Sequence, residues 1–300
     1  MGSGPLAFLE SLTDFGIKLG LDKTRFFLRR LGNPHTRYPS VLIAGTNGKG
    51  SVAKTLSEIL RASGRRVGLY TSPHLVDVRE RIMVDGRMVS RQEFRDGVER
   101  LRRLLDGLPV HLFPTYFEAL TIIAFDHFAR AGVDILVAEV GMGGRFDATN
   151  VLPSCLEVIT PISYDHMQFL GSTIPQIAME KAGIIKPRTV VVSSRQKPEA
   201  LAVIRRKARE EKARLFVLGR EFSARRTASA ATWQEISVSS AGYRIDGVRT
   251  PLLGRHQVDN VAVAVHAARN LSSLGFPLTD EAIRLGASRT VWPARLQKLS

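Results

Sequence analysis

A single cysteine, Cys155, stands in 300 residues. That excludes an internal disulfide and a thiolate metal cluster. At a strand entrance, the residue reads as a small buried hydrophobe. Long apolar runs are missing as well. The nearest, residues 119–128, is broken by Asp126 and His127, so no membrane-spanning helix is expected. Met1-Gly-Ser-Gly-Pro5 lacks a basic run leading into an apolar segment, which argues against a signal peptide. Acidic side chains are few, 28 against 43 Lys and Arg, an excess of 15 positive charges. Such an excess suits nucleic acid, an acidic membrane surface or polyanionic small substrates. No basic segment is interleaved with regular aromatics, so a nucleic-acid stacking platform is not supported. The pairs Arg65-Arg66, Arg102-Arg103, Arg205-Arg206 and Arg225-Arg226 are expected mostly on helix faces and loop edges, as solvated charge. Repeats and disordered tracts are also absent, residues 223–232 being merely biased toward small side chains. What remains is an ordinary globular composition, 44% apolar and 24% charged, with a length ample for a real core. A cytoplasmic, monomeric chain with neither nucleic-acid nor membrane partners is expected.

The most informative segment is Val41-Leu-Ile-Ala-Gly-Thr-Asn-Gly-Lys-Gly-Ser51. Four apolar residues predict a buried strand. A glycine-rich turn with one lysine follows, and residues 52–60 then repeat their apolar side chains at helical spacing. Strand, glycine loop and helix N-terminus together make a phosphate cradle. Backbone N–H groups and the helix dipole supply partial positive charge there, and Lys49 supplies a full one. Ser51 offers a hydroxyl where a magnesium ion is usually reached. The loop departs from the common form. Gly50 separates the lysine from the serine, and Ile43 stands where the first glycine of GxxxxGK[ST] belongs. The plain alternative is a solvated turn with an incidental lysine, but strand and helix flank it as the motif requires.

Strands alternate with helices along most of the chain, predicting an α/β fold with a mainly parallel sheet covered on both faces. Strands are expected at residues 66–70, 133–140, 156–160 and 189–193. Ser90-Arg-Gln-Glu93 and Thr115-Tyr-Phe-Glu118 are capping boxes that open helices through residues 105 and 130. Further helices are expected at 173–182, 198–213, 256–274 and 280–285. Between them, residues 222–253 change to short alternating stretches with Gly242 and Gly247 as turn signals, predicting a small antiparallel addition.

Several polar residues fall at strand ends, where open α/β sheets build their sites. Thr71-Ser-Pro-His74 follows one strand, Glu139 ends another, and Asp165-His166 follows a third. Singly, each has a plain reading: a turn cap, an arginine's partner, a hydrogen-bonded structural histidine. Jointly, beside a phosphate loop, a hydroxyl, a carboxylate and an imidazole suit a divalent cation, with Mg²⁺ favoured by ATP chemistry.

These residues also carry a resemblance. Gly45-Thr-Asn-Gly-Lys-Gly-Ser51, Thr71-Ser-Pro-His-Leu75, Arg79-Glu-Arg-Ile82 and Glu139-Val-Gly-Met-Gly-Gly-Arg-Phe-Asp-Ala-Thr-Asn150 resemble folylpolyglutamate synthase/dihydrofolate synthase. That family is a branch of the Mur ligase superfamily with a P-loop ATPase domain. Asp165-His166, Glu180-Lys-Ala-Gly-Ile184, Gly254-Arg-His-Gln257 with Asn260, and Trp292-Pro-Ala-Arg-Leu296 continue the match in order. The resemblance implies that Asn47, Gly48, Lys49, Gly50 and Ser51 hold the ATP phosphates, with Asn260 and Arg295 also contacting ATP. It implies that Ser72 and Glu139 bind one magnesium ion and His166 a second. Thr115, Tyr116, Phe117, Glu118, Phe146, Asp147 and Ala148 would line the pterin or folate pocket, Glu118 having an equally good account as a capping residue. Lys49, His166 and Lys181 would be catalytic, Lys181 as a carbamate. The apolar Ile177, Ala178, Ile184 and Ile185 around Lys181 favour the neutral amine that carbamylation requires. Its plain alternative is a snorkelling surface lysine.

The implied reaction is ATP-dependent amide ligation through an acyl phosphate, joining L-glutamate to dihydropteroate or folate. Two departures stand out. Lys18 occupies a position where the family can carry an acidic residue, and Ala294 replaces a common glycine of the interdomain segment. Domain boundaries are expected at residues 1–295 for the ATP-binding ligase domain and 296–300 for the start of a connection. Family members continue into a second α/β domain, so 300 residues alone are expected to bind weakly and ligate poorly. Another Mur-type ligase of cell-wall peptide synthesis shares the loop and metal chemistry, and a nucleotide- or polyanion-binding module would share the basic charge.

Overall fold

Ser40–Ala44 (the first strand, β1) has no exposed side chain, and the molecule is built outward from it. The computed structural model describes residues 4–16 and 20–293; Lys18, Ala294 and Arg295 lie outside the described residues. In chain order come α1 (Pro5–Ser11), α2 (Asp22–Arg30), β1, α3 (Lys49–Ala62), β2 (Val67–Tyr70), β3 (Ile82–Val84), β4 (Arg87–Met88), α4 (Arg91–Leu105) and α5 (Tyr116–Ala131). There follow β5 (Ile135–Glu139), β6 (Leu156–Ile159), α6 (Met167–Leu170), α7 (Ile174–Ala182), β7 (Val190–Ser193), α8 (Pro198–Glu210) and β8 (Arg214–Val217). The last elements are β9 (Phe222–Ser229), β10 (Gln234–Ser240), β11 (Tyr243–Thr250), α9 (Arg255–Ser272) and α10 (Asp280–Ser288).

The main sheet runs β4-β3-β2-β5-β1-β6-β7-β8. Six of its strands are parallel, and β3 and β4 add an antiparallel edge. Side chains alternate across a strand, so a sheet covered on both faces needs apolar residues at every position. Leu42 and Ala44 of β1, with Leu136 and Ala138 of β5, join one core; it holds Phe27, Val98, Phe125, Ile177 and Ile204 of the helices on that side. Val41, Ile43, Ile135 and Val137 point the other way, into a core with α3, α9 and the antiparallel meander β11-β10-β9. The expected architecture is thus observed, including the antiparallel addition within residues 222–253.

Both expected capping boxes are formed. Ser90 Oγ accepts the Glu93 amide, and Thr115 Oγ1 accepts the Glu118 amide while Glu118 returns a carboxylate to the Thr115 amide. Other expectations need correction. The fifth strand is shorter than residues 133–140, because Val133 and Asp134 bond outside it, to Phe128 and Arg66 carbonyls. Arg225 and Arg226 are the exception among the arginine pairs, lying on β9, a strand that turns most of its side chains to solvent. Cys155 is half-buried rather than a core residue; its thiol sits 3.3 Å from the Ser40 carbonyl, and burial pushes its pKa up to about 11. Among the described residues no helix is long and apolar enough to cross a membrane.

One buried acid interrupts the apolar rule. Glu157 of β6 is fully buried, with Ser154 Oγ at 2.7 Å and Thr189 Oγ1 at 2.5 Å. Burial raises its pKa from 4.5 to about 8, against these hydrogen bonds and the nearby Lys186 ammonium. The folded state therefore holds a proton that the unfolded chain releases. This stabilisation is complete below pH 4.5 and is lost as pH rises through about 8. Glu157→Gln should flatten that slope. Urea titrations across this range should show wild-type stability falling relative to the variant by on the order of 3 kcal/mol; parallel pH profiles would refute it.

Candidate functional site: a glycine loop and an aromatic cleft at the strand ends

The glycine loop leaves the carboxyl end of β1 and enters α3 at Lys49, with Gly48 as the N-cap and no side-chain cap. The first amides of α3 are therefore unclaimed by any capping side chain and available to an anion. Gly48 has φ of +87°, and a Cβ there would lie 2.5 Å from Asn260 Oδ1. Gly50 meets the Trp292 indole, which a Cβ would approach to 3.0 Å. A side chain between the lysine and the serine would thus have to displace the indole of a tryptophan more than 200 positions away in the sequence. Lys49 Nζ donates to the Gly45 and Thr46 carbonyls at 3.1 and 3.3 Å. Ser51 is buried, and its hydroxyl accepts from Gln257 Nε2 at 3.3 Å; Gln257 Oε1 in turn accepts from Asn260 Nδ2 at 3.0 Å. Through α9, Asn260 and Ser51 are brought to one side of the loop.

The neighbouring strand ends supply the other polar groups. Glu139 closes β5, almost fully buried, and its Oε2 accepts the Ser72 amide at 3.3 Å. Beyond β6, Asp165 lies 3.4 Å from His166 Nε2 and 3.6 Å from Lys181 Nζ. His166 is half-exposed, with a left-handed backbone at φ 44°.

Lys181 is 1% exposed, which removes the snorkelling alternative. Its ammonium donates to the Gly45 carbonyl at 2.8 Å, tying α7 to the root of the phosphate loop. Burial, and then the Lys49 charge, lower its pKa to about 8, while Asp165 pulls the other way. All four apolar neighbours noted in the sequence are buried.

A cleft of about 690 Å³ opens above these strand ends. It is lined by Lys49, Ser72 and His166 together with Thr115, Tyr116, Phe117, Glu118, Phe146, Asp147 and Ala148. Two of these carboxylates are held by local structure. Glu118 Oε2 accepts the Thr115 amide and hydroxyl at 2.8 and 2.9 Å. Asp147 is buried; it accepts the Met142 and Thr149 amides and the Thr149 hydroxyl, and burial raises its pKa. Asp147 therefore holds its glycine-rich loop in shape from the cleft wall, where sequence reasoning expected it. Phe146 is 39% exposed, with the Arg145 guanidinium over its ring.

Three cleft or loop residues were not foreseen. Arg81 lines the cleft and donates to His74 Nδ1 at 2.9 Å. Thr46 straps the loop to the Ser163 carbonyl, and Gln257 links Ser51 to Asn260. All three stood within recognised motifs, but the partners of Thr46 and Gln257 lie 117 and 206 residues away in the sequence.

Comparison with known proteins agrees with this geometry. A family model described as the Mur ligase middle domain matches residues 43–268. The chain is 37% identical to the dihydrofolate synthase/folylpolyglutamate synthase of Bacillus subtilis (strain 168), covering 97% of this chain and 69% of that protein. It is 36% identical to the folylpolyglutamate synthase of Lacticaseibacillus casei over 91% of this chain and 65% of the relative. Among solved structures, the Thermotoga maritima folylpolyglutamate synthase superposes with a TM-score of 0.90 at 36% identity, covering 98% of this chain and 68% of that one. A structure described as an FPGS-AMPPCP-folate complex gives 0.92 at 34% identity, covering 99% and 73%. The chain therefore spans about two thirds of the length of these relatives.

The seat of Trp292 on the loop can be tested in a Trp233→Phe background, which leaves one tryptophan. Gly50→Ala should push the indole off and redden its emission, costing less than about 1 kcal/mol of stability because the ring itself can move. An unchanged spectrum would show that the indole does not rest there.

Proposed function

Since the chain belongs to the folylpolyglutamate synthase/dihydrofolate synthase family of Mur ligases, we propose that it forms the ATP- and pteroate- or folate-binding part of an ATP-dependent ligase. The reaction adds L-glutamate to dihydropteroate, to a folate, or to both. The observation that carries this reading is the single cleft shared by Lys49, Ser72 and His166 with the Phe117 and Phe146 rings. A phosphate loop and an aromatic slot at one set of strand ends suit a nucleotide and a flat heterocycle with a tail. The cell-wall alternative has no such support: the relatives above are named for folate substrates.

In the first step, a substrate carboxylate attacks the γ-phosphorus of ATP; ADP leaves and an acyl phosphate forms. In the second, the neutral amine of glutamate attacks the acyl carbon and phosphate departs. Two anions meet in the first step, so cationic groups must offset their repulsion. Lys49 serves here, with the amides of Gly48, Gly50 and Ser51 completing the cradle and Asn47 and Asn260 beside it. Arg295 is assigned to ATP by family likeness alone. The slot from Thr115 to Ala148 orients the ring, with Glu118 and Asp147 fixing its walls.

The donors present fit Mg²⁺. Glu139 and Ser72, hydrogen-bonded at 3.3 Å, offer a carboxylate and a hydroxyl, and magnesium takes one or two such ligands with phosphate and water. His166 would serve a second ion beside Asp165. Magnesium, when bound, supplies charge neutralisation on the phosphates.

Lys181 is assigned as a carbamate. Its neutral amine attacks CO₂, the N–C bond forms, and a proton passes to solvent. The product replaces a buried cation next to Lys49 with an anion.

Calorimetry with AMPPCP should show Lys49→Ala weakening nucleotide binding at least ~100-fold with the fold intact. Phosphate release should be stimulated by dihydropteroate and not by a UDP-muramoyl peptide; the reverse preference would overturn the reading. Under ¹³CO₂, wild type should give a carbamate resonance that is absent in Lys181→Ala. It should grow as pH rises through about 8, where the amine becomes neutral. Absence of the signal in wild type, with full activity in the variant, would discard the carbamate.

A further inference from the structure

A second cavity, of about 480 Å³, adjoins the substrate cleft. Tyr116 lines both. Arg81 lines the cleft and His74 the cavity, and the two are joined by a 2.9 Å hydrogen bond. Because His74 Nδ1 accepts from Arg81, its neutral ring carries its proton on Nε2 and is a donor.

The cavity floor is apolar: Leu9, Val78 and Phe94 are buried there. Its rim is cationic. Arg91 and Arg95 stand four residues apart on α4 and therefore on one face. Arg79 is also present but is already held by Asp77 at 2.7 Å. Neither Arg91 nor Arg95 has a side-chain hydrogen bond or salt bridge among the described residues, and the one charge felt by Arg91 is that of Asp77, which Arg79 already holds. Glu10, exposed, is the remaining carboxylate of the lining.

An apolar floor under unpaired guanidiniums matches one feature of the proposed reaction. Each turnover on a folate lengthens the tail by one γ-glutamyl unit, two methylenes and one free α-carboxylate. The reacting end must return to Lys49 and the ring to Phe117 and Phe146, so the additional chain between them needs an adjoining space. Resting on the folate reading, we infer that the Leu9–Phe94 cavity is the subsite for the γ-glutamyl tail of an already elongated substrate. Methylenes lie on the apolar floor, and α-carboxylates pair with Arg91 and Arg95. These arginines are specificity determinants and take no part in the phosphate chemistry.

The test is calorimetry on the full 300-residue chain with AMPPCP and Mg²⁺. Pteroate, pteroyl-monoglutamate and pteroyl-γ-triglutamate are compared between wild type and the double variant Arg91→Ser/Arg95→Ser. Both side chains are exposed, so the fold should be retained, which circular dichroism checks. Wild type should prefer the triglutamate to the monoglutamate, and the double variant should lose about tenfold on the triglutamate alone. An equal loss on all three ligands, or an undiminished preference in the variant, would overturn the subsite while leaving the folate reading intact. Failure of wild type to bind any pteroate would remove both.

Discussion

The cleft depends on β1 being covered on both faces, with strands β5 and β6 bonded along its two sides. A strand so enclosed cannot slip by one residue without turning its apolar side chains into the wrong core. Its carboxyl end is therefore a fixed point. The glycine loop begins there, and the ends of β5 and β6 deliver Glu139 and the Asp165-His166 pair to either side. Helices on opposite faces then contribute one further group each, Lys181 from α7 and Asn260 from α9.

Electrostatics at this point is crowded. Lys49 and Lys181 both bond the Gly45 carbonyl, Lys181 inside the protein. Two ammoniums sharing one acceptor repel each other, which adds to the desolvation that lowers the Lys181 pKa. Asp165 offsets part of this from the solvent side. The arrangement is short of negative charge, and an incoming phosphate or a modified lysine would each correct it.

Much of this was legible beforehand because the informative patterns are local. Continuous apolar runs such as Val41 to Ala44 announce strands covered on both faces, and Thr115 to Glu118 announces its own helix start. The hairpin β3–β4 escaped because its strands are three and two residues long, below any window that shows alternation. Its Asp85-Gly86 pair, both at positive φ, was the available signal, since such turns demand it. Helix α2 carried no comparable announcement. The partners of Asp147 were hidden for another reason. A carboxylate that binds the amides of its own loop has the same spelling as one that binds a ligand. Gln257 meets Ser51 across 206 residues of sequence, a separation that no periodicity encodes. Lys181 was the opposite case, because its apolar neighbours foretold burial.

Helix α10 lies against α3 at Gly286, where a Cβ would come within 2.3 Å of the Ile59 Cα. The two backbones touch with no side chain between them, so no rotatable bond absorbs a relative displacement. Mechanically they form one strut. At about 1.5 Å per residue, the 14 residues of α3 extend roughly 21 Å from the loop. A tilt imposed at the glycine loop would thus be carried rigidly to α10, and from there to the segment bearing Trp292. That segment returns the chain to Gly50, so the strut closes a ring in which the loop is both the driver and the seat.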